Sequence, residues 1–468
     1  MVLLFVVLII AALAALSLGL MGLATMEYKV VVYNGHNAQL VQVVQSGIDA
    51  AAKAIDDPEK PDLYDNPERF CSIEVVAARV TPLDYGTGRF TVFAPRCEQD
   101  QVRGARFGLM RESAKLSLET ILEWETESAG QGTQALQKLP GITPVIVDSI
   151  LDWLDADSNA RRQGAEADYY KEQEKTYRPR NAVPIALEEL LFIRDVERPM
   201  LFGDDIQLTF GATQTFLRRK TDPQTLLDDA FAPLPDLEMT PGDATAWQFL
   251  LTPYSAEKVV NQQNVVKIFL NESNLEFLEQ QLRLHQLDEE SIQFILAWRR
   301  TNGTIGDPID LLDAEIAAGP EREGVKSPFS CANPIALDRF LRLLDEVTSN
   351  SAIVIRGRIN VNEAPQQVLE AVPELTPDKV AAILGRRKSG NENQRHAVWL
   401  LAENIVDKDT MKTLSRRLTT GGDVYRIQVA GFFEGKPRIH RVEAVLDATV
   451  KPPRTVFYKD LTPLGVSE

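Results

Sequence analysis

The richest concentration of chemically capable side chains is Asp148-Ser149-Ile150-Leu151-Asp152-Trp153-Leu154-Asp155-Ala156-Asp157-Ser158-Asn159, followed by Gly164, Glu166 and Asp168. It gathers oxygen donors at the end of a helical pattern and in the loop beyond. Hard cations such as calcium take roughly six to eight oxygen ligands in tolerant geometry, so a loop can wrap Asp155, Asp157, Glu166 and backbone carbonyls around one ion. The spacing is not that of an EF-hand. The same residues also read as a solvated acidic turn whose aspartates cap a neighbouring helix. As a general acid and base they lack a catalytic frame: no nucleophile elbow, Ser/His/Asp pattern or glycine-rich phosphate loop accompanies them. No catalytic residue is assigned, and the chain reads as a non-enzyme. Cys71, Cys97 and Cys331 form no C-x-x-C and do not cluster with His36, His285, His396 or His440, which argues against zinc. A formal charge of -17 opposes binding to phosphate backbones.

The elements that must carry this cluster begin with a membrane-compatible run. Residues 1–26 hold no charged side chain and are dominated by Leu, Val, Ile and Ala. As a helix they would reach roughly 39 Å at about 1.5 Å per residue, against an apolar slab of about 30 Å. A cleaved secretory signal would need a basic start and a shorter apolar core, so a retained anchor is expected. With no Lys or Arg ahead of the span, charge leaves its orientation open. Leu40, Val43, Val44, Gly47, Ile48, Ala51 and Ile55 continue a helical period until Asp56, Asp57 and Pro58 stop it. The alternative is a strand at residues 29–33, where Val30, Val31 and Val32 are β-branched.

Residues 71–80 and 89–97 are β-prone runs around turn formers at 81–88, which predicts a hairpin. If it is symmetric about Asp84, Cys71 faces Cys97 at a Cα separation of about 4.5 Å, within disulfide reach. Two separately buried thiols are the other reading. Residues 424–431 and 438–448 predict a second hairpin, with one more strand at 455–458. Between these β regions, helical patterns run over 273–283, 291–300, 334–347 and 377–387. The fold class is therefore α+β, with a large helical domain inserted between β elements.

The helical part contains three imperfect repeats, at 115–153, 267–300 and 358–388, each an extended lead-in followed by a helical hairpin. In the first and third, Thr143 and Thr376 can cap the second helix, with Pro144 and Pro377 in its first turn. Leu139-Pro140-Gly141-Ile142-Thr143-Pro144 resembles a helix-hairpin-helix unit of the kind that meets DNA phosphates. Asp152, Asp155 and Asp157 follow it directly and would oppose such a contact.

Together, the apolar N-terminal helix, residues 150–157, Gly164-Ala165-Glu166, Tyr169-Tyr170, Tyr177-Arg178-Pro179-Arg180-Asn181 and Arg358-Ile359-Asn360-Val361-Asn362-Glu363-Ala364-Pro365 resemble the K-type minor pseudopilins of the type II secretion system. The resemblance implies a pseudopilin fold, a long helix on an antiparallel sheet, interrupted by a helical domain. It divides the chain into a transmembrane helix (1–26), its periplasmic continuation (27–56), a first part of the sheet (68–114), the insert (115–415) and a second part with a tail (420–468). It implies calcium held by Asp155, Asp157 and Glu166, with Asp152 as a further candidate. The family often has Asp directly after that Glu, whereas Ala167 stands here and Asp168 comes one later. Pseudopilins usually carry a glutamate at the fifth position; Phe5 is apolar, as in K-type members, which fits a tip subunit with no neighbour above. The implied function is initiation of the pseudopilus at its tip with I- and J-type minor pseudopilins as partners. The implied setting is the inner membrane, with the bulk of the chain in the periplasm, engaging the secretin or secreted cargo and no nucleic acid. The segment 203–356 exceeds typical relatives, and 217–245 reads as a loop. An anchored periplasmic binding protein is the alternative function.

Overall fold

An uncharged run of this length satisfies its backbone polar groups in lipid only as a helix, and Val2–Ile55 forms one continuous helix, α1. The computed structural model describes residues 2–57, 62–75, 87–98, 101–173, 176–203, 242–243, 246–317, 324–387, 394–434 and 438–462, apart from the side chains of 97–98, 101–104 and 242–243. Residues 2–31 of α1 are exposed throughout, and the helix is long and apolar enough to cross a membrane. The strand considered at 29–33 is absent: these residues are helical. The weaker helix propensity of β-branched valines, at most about 0.7 kcal/mol per residue, does not break a ladder already propagating from both sides.

The far half of α1 changes character. Leu40, Val43, Val44, Ile48, Ala51 and Ala54 are buried against a sheet. Two glycines permit the close approach. A Cβ on Gly47 would meet Val429 Cγ1 at 2.5 Å, and one on Gly431 would meet Val44 Cγ2 at 2.7 Å. The sheet uses both ends of the chain: β1 (Ile73–Glu74), β2 (Gly88–Glu98), β3 (Gln101–Arg106), β4 (Met110–Arg111), β5 (Gly242–Asp243), β6 (Val424–Phe433), β7 (Ile439–Asp447) and β8 (Arg454–Asp460). The order is β8-β7-β6-β2-β3-β5, with β1 on β2 and β4 on β6. Val429 is the hub of the register, opposite Val442 on one side and Val92 on the other. Closing the sheet thus requires the C-terminal hairpin to dock beside β2. Among the described residues, those from 112 to 423 lie outside this sheet, apart from the short edge strand β5.

The symmetric first hairpin is corrected by the ladder. Ile73 pairs with Phe90 and Glu74 with Arg89, while Cys97 pairs with Val102 in β3. The far half of β2 is taken by β3, so it is not available to residues 71–72. Cys71 is buried just after the one-turn helix Pro67–Phe70. The side chain of Cys97 lies outside the described residues, and so does the expected bridge, together with residues 76–86 of the expected hairpin.

The insert has its own core, from Leu116 and Trp124 through Trp247 and Phe294 to Trp399. Each repeat opens on a two-residue strand paired in parallel with a distant dipeptide: Leu116 with Leu251, Ile268 with Val347, Ile359 with Leu418. Helical hairpins follow, Leu275–Leu284 with Glu289–Asn302 in the second repeat and Gln366–Glu370 with Pro377–Arg386 in the third. Thr143 Oγ1 accepts from the Ile146 N–H at 3.3 Å, as expected of a cap, and Asp288 does the same for Ser291 at 3.0 Å. Thr376 stands at the cap position but makes no side-chain cap bond.

A buried ion network joins insert to sheet. Glu112, with no exposed side-chain surface, accepts from Lys115 at 3.2 Å and from Arg426 of β6 at 2.7 Å. Burial pushes the Glu112 carboxyl up, but Arg426 and Lys115 outweigh it and hold it at about 2. Removing one partner of such a group typically costs about 3–5 kcal/mol, because the other charge is left buried. The network therefore fixes where the insert leaves the sheet.

Candidate metal centre

The site hangs on one short helix, α2 (Pro144–Leu154), started by the Thr143 cap and Pro144. Its apolar positions Ile146, Val147, Ile150, Leu151 and Leu154 are buried in the core of the insert, which fixes the direction in which the chain leaves at Asp155. Asp152, also on α2, is fully buried. It accepts from the Arg161 backbone N–H at 3.2 and 3.1 Å and from Arg161 Nη1 at 2.7 Å. That Nη1 also binds Asp155 Oδ2. The returning loop lies hard against the carboxylate: a Cβ on Gly164 would stand 1.9 Å from Asp152 Oδ2. The Gln163 N–H donates to Asp148 Oδ2 at 3.0 Å. α2 thus reels the loop back through Asp148 and Asp152, which delivers Glu166 to the end of the helix.

Asp155, Asp157 and Glu166 present carboxylate oxygens within 4.8 Å of one another. Both oxygens of Glu166 and Oδ1 of Asp155 are buried with no hydrogen-bond partner. Asp157 is exposed and shapes the turn, its Oδ1 accepting from the Asn159 N–H at 2.7 Å. Its carbonyl accepts from Asn181 Nδ2, and Asn181 Oδ1 is itself buried without a partner. Burial pushes the Glu166 carboxyl above its ordinary range, and the charges of Asp152, Asp155 and Asp157 add to the effect. Orphaned buried oxygens around a shared point, all hard donors, fit a hard cation and not zinc or copper. A bound ion would supply charge neutralisation and a cross-link; Asp155, Asp157 and Glu166 would hold it.

Of the expected residues, the structure brings together Asp155, Asp157 and Glu166. Asp152 is not in that group: its two oxygens are engaged by Arg161, and it positions the loop. Asp168 is outside the group as well, paired with Lys171 at 2.8 Å and largely exposed. The sequence assigns no role to Arg161 or Asn181, although Asn181 closes the Tyr177–Asn181 block of the resemblance and Arg161 stands in a basic pair, Arg161-Arg162, inside an acidic loop. A wall of rings backs the site, with Trp153 and Tyr170 centroids 5.5 Å apart and Tyr170 and Tyr177 5.1 Å apart. Trp153 Nε1 donates to Glu189 Oε1 at 3.2 Å, and Arg180 Nη2 reaches Glu189 Oε2 at 2.8 Å. This ties the segment carrying Asn181 to α2. Phe5 lies far from the site in sequence, exposed on the apolar end of α1.

Residues 114–201 match the family described as type II secretion system (T2SS), protein K. The first repeat and the whole acidic cluster fall within that span. No curated protein matches the chain. Among solved structures it is similar to a chain of the GspK-GspI-GspJ complex from the type 2 secretion system of enterotoxigenic Escherichia coli, at 10% identity and a TM-score of 0.32, with 92% of this chain and 98% of that chain covered. So low a score adds no weight. The protein K domain, looped out of a sheet that packs on a long apolar helix, supports a K-type minor pseudopilin of the type II secretion system.

Proposed function

We propose that the chain initiates and caps the pseudopilus as its tip subunit, with I- and J-type minor pseudopilins beside it. The observation that carries this reading is the placement of the span that matches protein K: the described residues of 114–201 follow β4 and stand outside the sheet, while residues 2–31 of α1 stay exposed. An exposed apolar helix suits both a bilayer and a bundle of like helices. A bulky head leaves little room for another subunit above it. In this reading α1 anchors the chain once in the inner membrane and the head lies in the periplasm, where it meets secretin or cargo. Calcium is the hard cation of choice for the Asp155, Asp157 and Glu166 cluster, and its role is structural, holding the α2 loop and the Asn181 turn together. The work is positional and needs no catalytic group.

The test is export of a type II cargo from cells lacking the chain. Restoration by the full chain, and failure by a chain without residues 115–415, is the expected outcome. Restoration by both would remove the role given to the head.

A further inference from the structure

A groove of about 300 Å³ lies within the insert, lined by the helix Leu118–Glu127, the turn at Gly357 and the end of the helix Lys408–Leu414. Its volume is at the lower end of the range of small-ligand sites. Gly357 lets the turn close on the first helix. Its φ of 72° is left-handed, and a Cβ there would stand 1.6 Å from Thr120 Oγ1, which donates to the Gly357 carbonyl at 3.0 Å.

The groove collects charges of both signs. Glu119, Glu123 and Glu127 recur every four residues and so share one face of their helix. Like charges at that spacing weaken a helix, so the stripe does not serve the helix itself. The cations come from the other elements: Arg356, Lys412, Arg416 and Arg417. Arg356 pairs with Glu119 at 3.8 Å, and Lys412 pairs with Asp310. Glu123, Glu127, Arg416 and Arg417 form no ion pair among the described residues. Arg417 is held in place by neutral partners. Only 9% exposed, it lies 5.1 Å over the Trp124 ring, and its Nη2 donates to Gln131 Oε1 at 2.8 Å. Its Nη1 is buried with no acceptor. Burial lowers the Arg417 guanidinium by more than the charges of Glu127 and Glu374 raise it. Burial also pushes the Glu123 carboxyl up, with Glu119 and Glu127 adding to the effect.

We propose that this groove binds a small zwitterion, with its carboxylate at Arg416 and Arg417 and its ammonium at Glu123 and Glu127. An anion alone would meet the two glutamates, and a cation alone the two arginines. A zwitterion offers each its complement. A guanidinium fixed on an aromatic face suits the carboxylate end, and the ligand oxygen supplies the acceptor that Nη1 lacks. A free amino acid and a short peptide share this chemistry and differ in how far apart their charges lie. The site is independent of the acidic cluster and of any filament role.

The test titrates the full chain in detergent by calorimetry with 4-aminobutanoate and, separately, with triglycine. Binding of the first alone assigns a free amino acid, of the second alone a short peptide, and of both the shared chemistry. Butanoate, butylamine and N-acetyltriglycine, each lacking one charge, should bind at least tenfold more weakly, equivalent to about 1.4 kcal/mol. Arg417→Lys keeps the charge but loses the fork and is expected to weaken binding about tenfold. Arg416 and Glu123 are exposed, so Arg416→Gln and Glu123→Gln leave the core untouched; each is expected to weaken binding about threefold, or about 0.65 kcal/mol. The proposal is overturned if neither zwitterion binds, if the analogues with a single charge bind as tightly, or if Arg416→Gln and Glu123→Gln both leave the affinity unchanged.

Discussion

Replacing Glu166 by Gln should change the sign of its effect with the ionic conditions. Without a divalent cation, a nearly buried carboxylate with both oxygens unpartnered lies within 4.8 Å of Asp155 and Asp157. At an effective dielectric near 20, two such charges repel by about 3 kcal/mol, and Arg161 on Asp155 offsets part of this. Glu166→Gln removes the charge and brings an amide N–H to the partnerless Asp155 Oδ1, so the chelated protein should gain about 1–2 kcal/mol. In calcium the order reverses. A ligand at a hundred times its dissociation constant adds about 2.7 kcal/mol to the wild type, and the variant loses a charged donor and most of that gain. Thermal unfolding of the full chain in detergent, followed by circular dichroism in EGTA and in calcium, reads both arms. At about 2–4 °C per kcal/mol, the variant should melt about 2–8 °C higher in chelator and lower than wild type in calcium. A variant that melts below wild type in chelator, or responds to calcium as wild type does, would refute the reasoning.

Three further outcomes are expected. Because the folded Glu166 carboxyl titrates above its unfolded value, the folded state takes up its proton first, so the metal-free wild type should gain stability relative to Glu166→Gln as pH falls from neutral towards about 4.5; the difference also cancels His396, whose pKa is lowered by burial and which makes acid destabilising in both. A flat difference between the two melting curves would contradict this. Gly164→Ala drives a methyl into Asp152 Oδ2 and should cost about 2–4 kcal/mol, with fast hydrogen exchange over 155–166, whereas unchanged protection would show a loop that simply gives way. Thr143→Ala should lose about 1 kcal/mol and Thr376→Ala much less, since only Thr143 makes its cap bond; equal losses in chemical denaturation would remove the distinction.

The parts legible in the sequence are those whose signal is long or locally dense. An uncharged run over residues 1–26 admits little but a membrane-compatible helix, and the helical periods at 273–283, 291–300, 334–347 and 377–387 recur as helices with nearly the same ends. The closing hairpin is there too, from Val424–Phe433 to Ile439–Asp447. Asp155, Asp157 and Glu166 were legible because carboxylates within one loop cannot separate far. What stayed hidden depends on partners distant in the chain. Two-residue strands such as Leu116–Ser117 have no period to read, yet each pairs with a dipeptide far away. Lys115 reads as the polar start of a repeat, but it is buried beside Glu112 because Arg426 arrives from the far end of the chain. The β2–β3 pairing runs through Cys97 and Pro95, residues that local propensity assigns to a strand's end. Asp152 looked like its neighbours until Arg161 was placed on it.

The most direct test of the tip assignment is assembly. The part of the chain from about Tyr28 onward would be co-expressed with I- and J-type minor pseudopilins encoded nearby and examined by size exclusion with light scattering. A stable species containing one copy of each is the predicted result; a monomer indifferent to both partners, in calcium and in chelator alike, would contradict it.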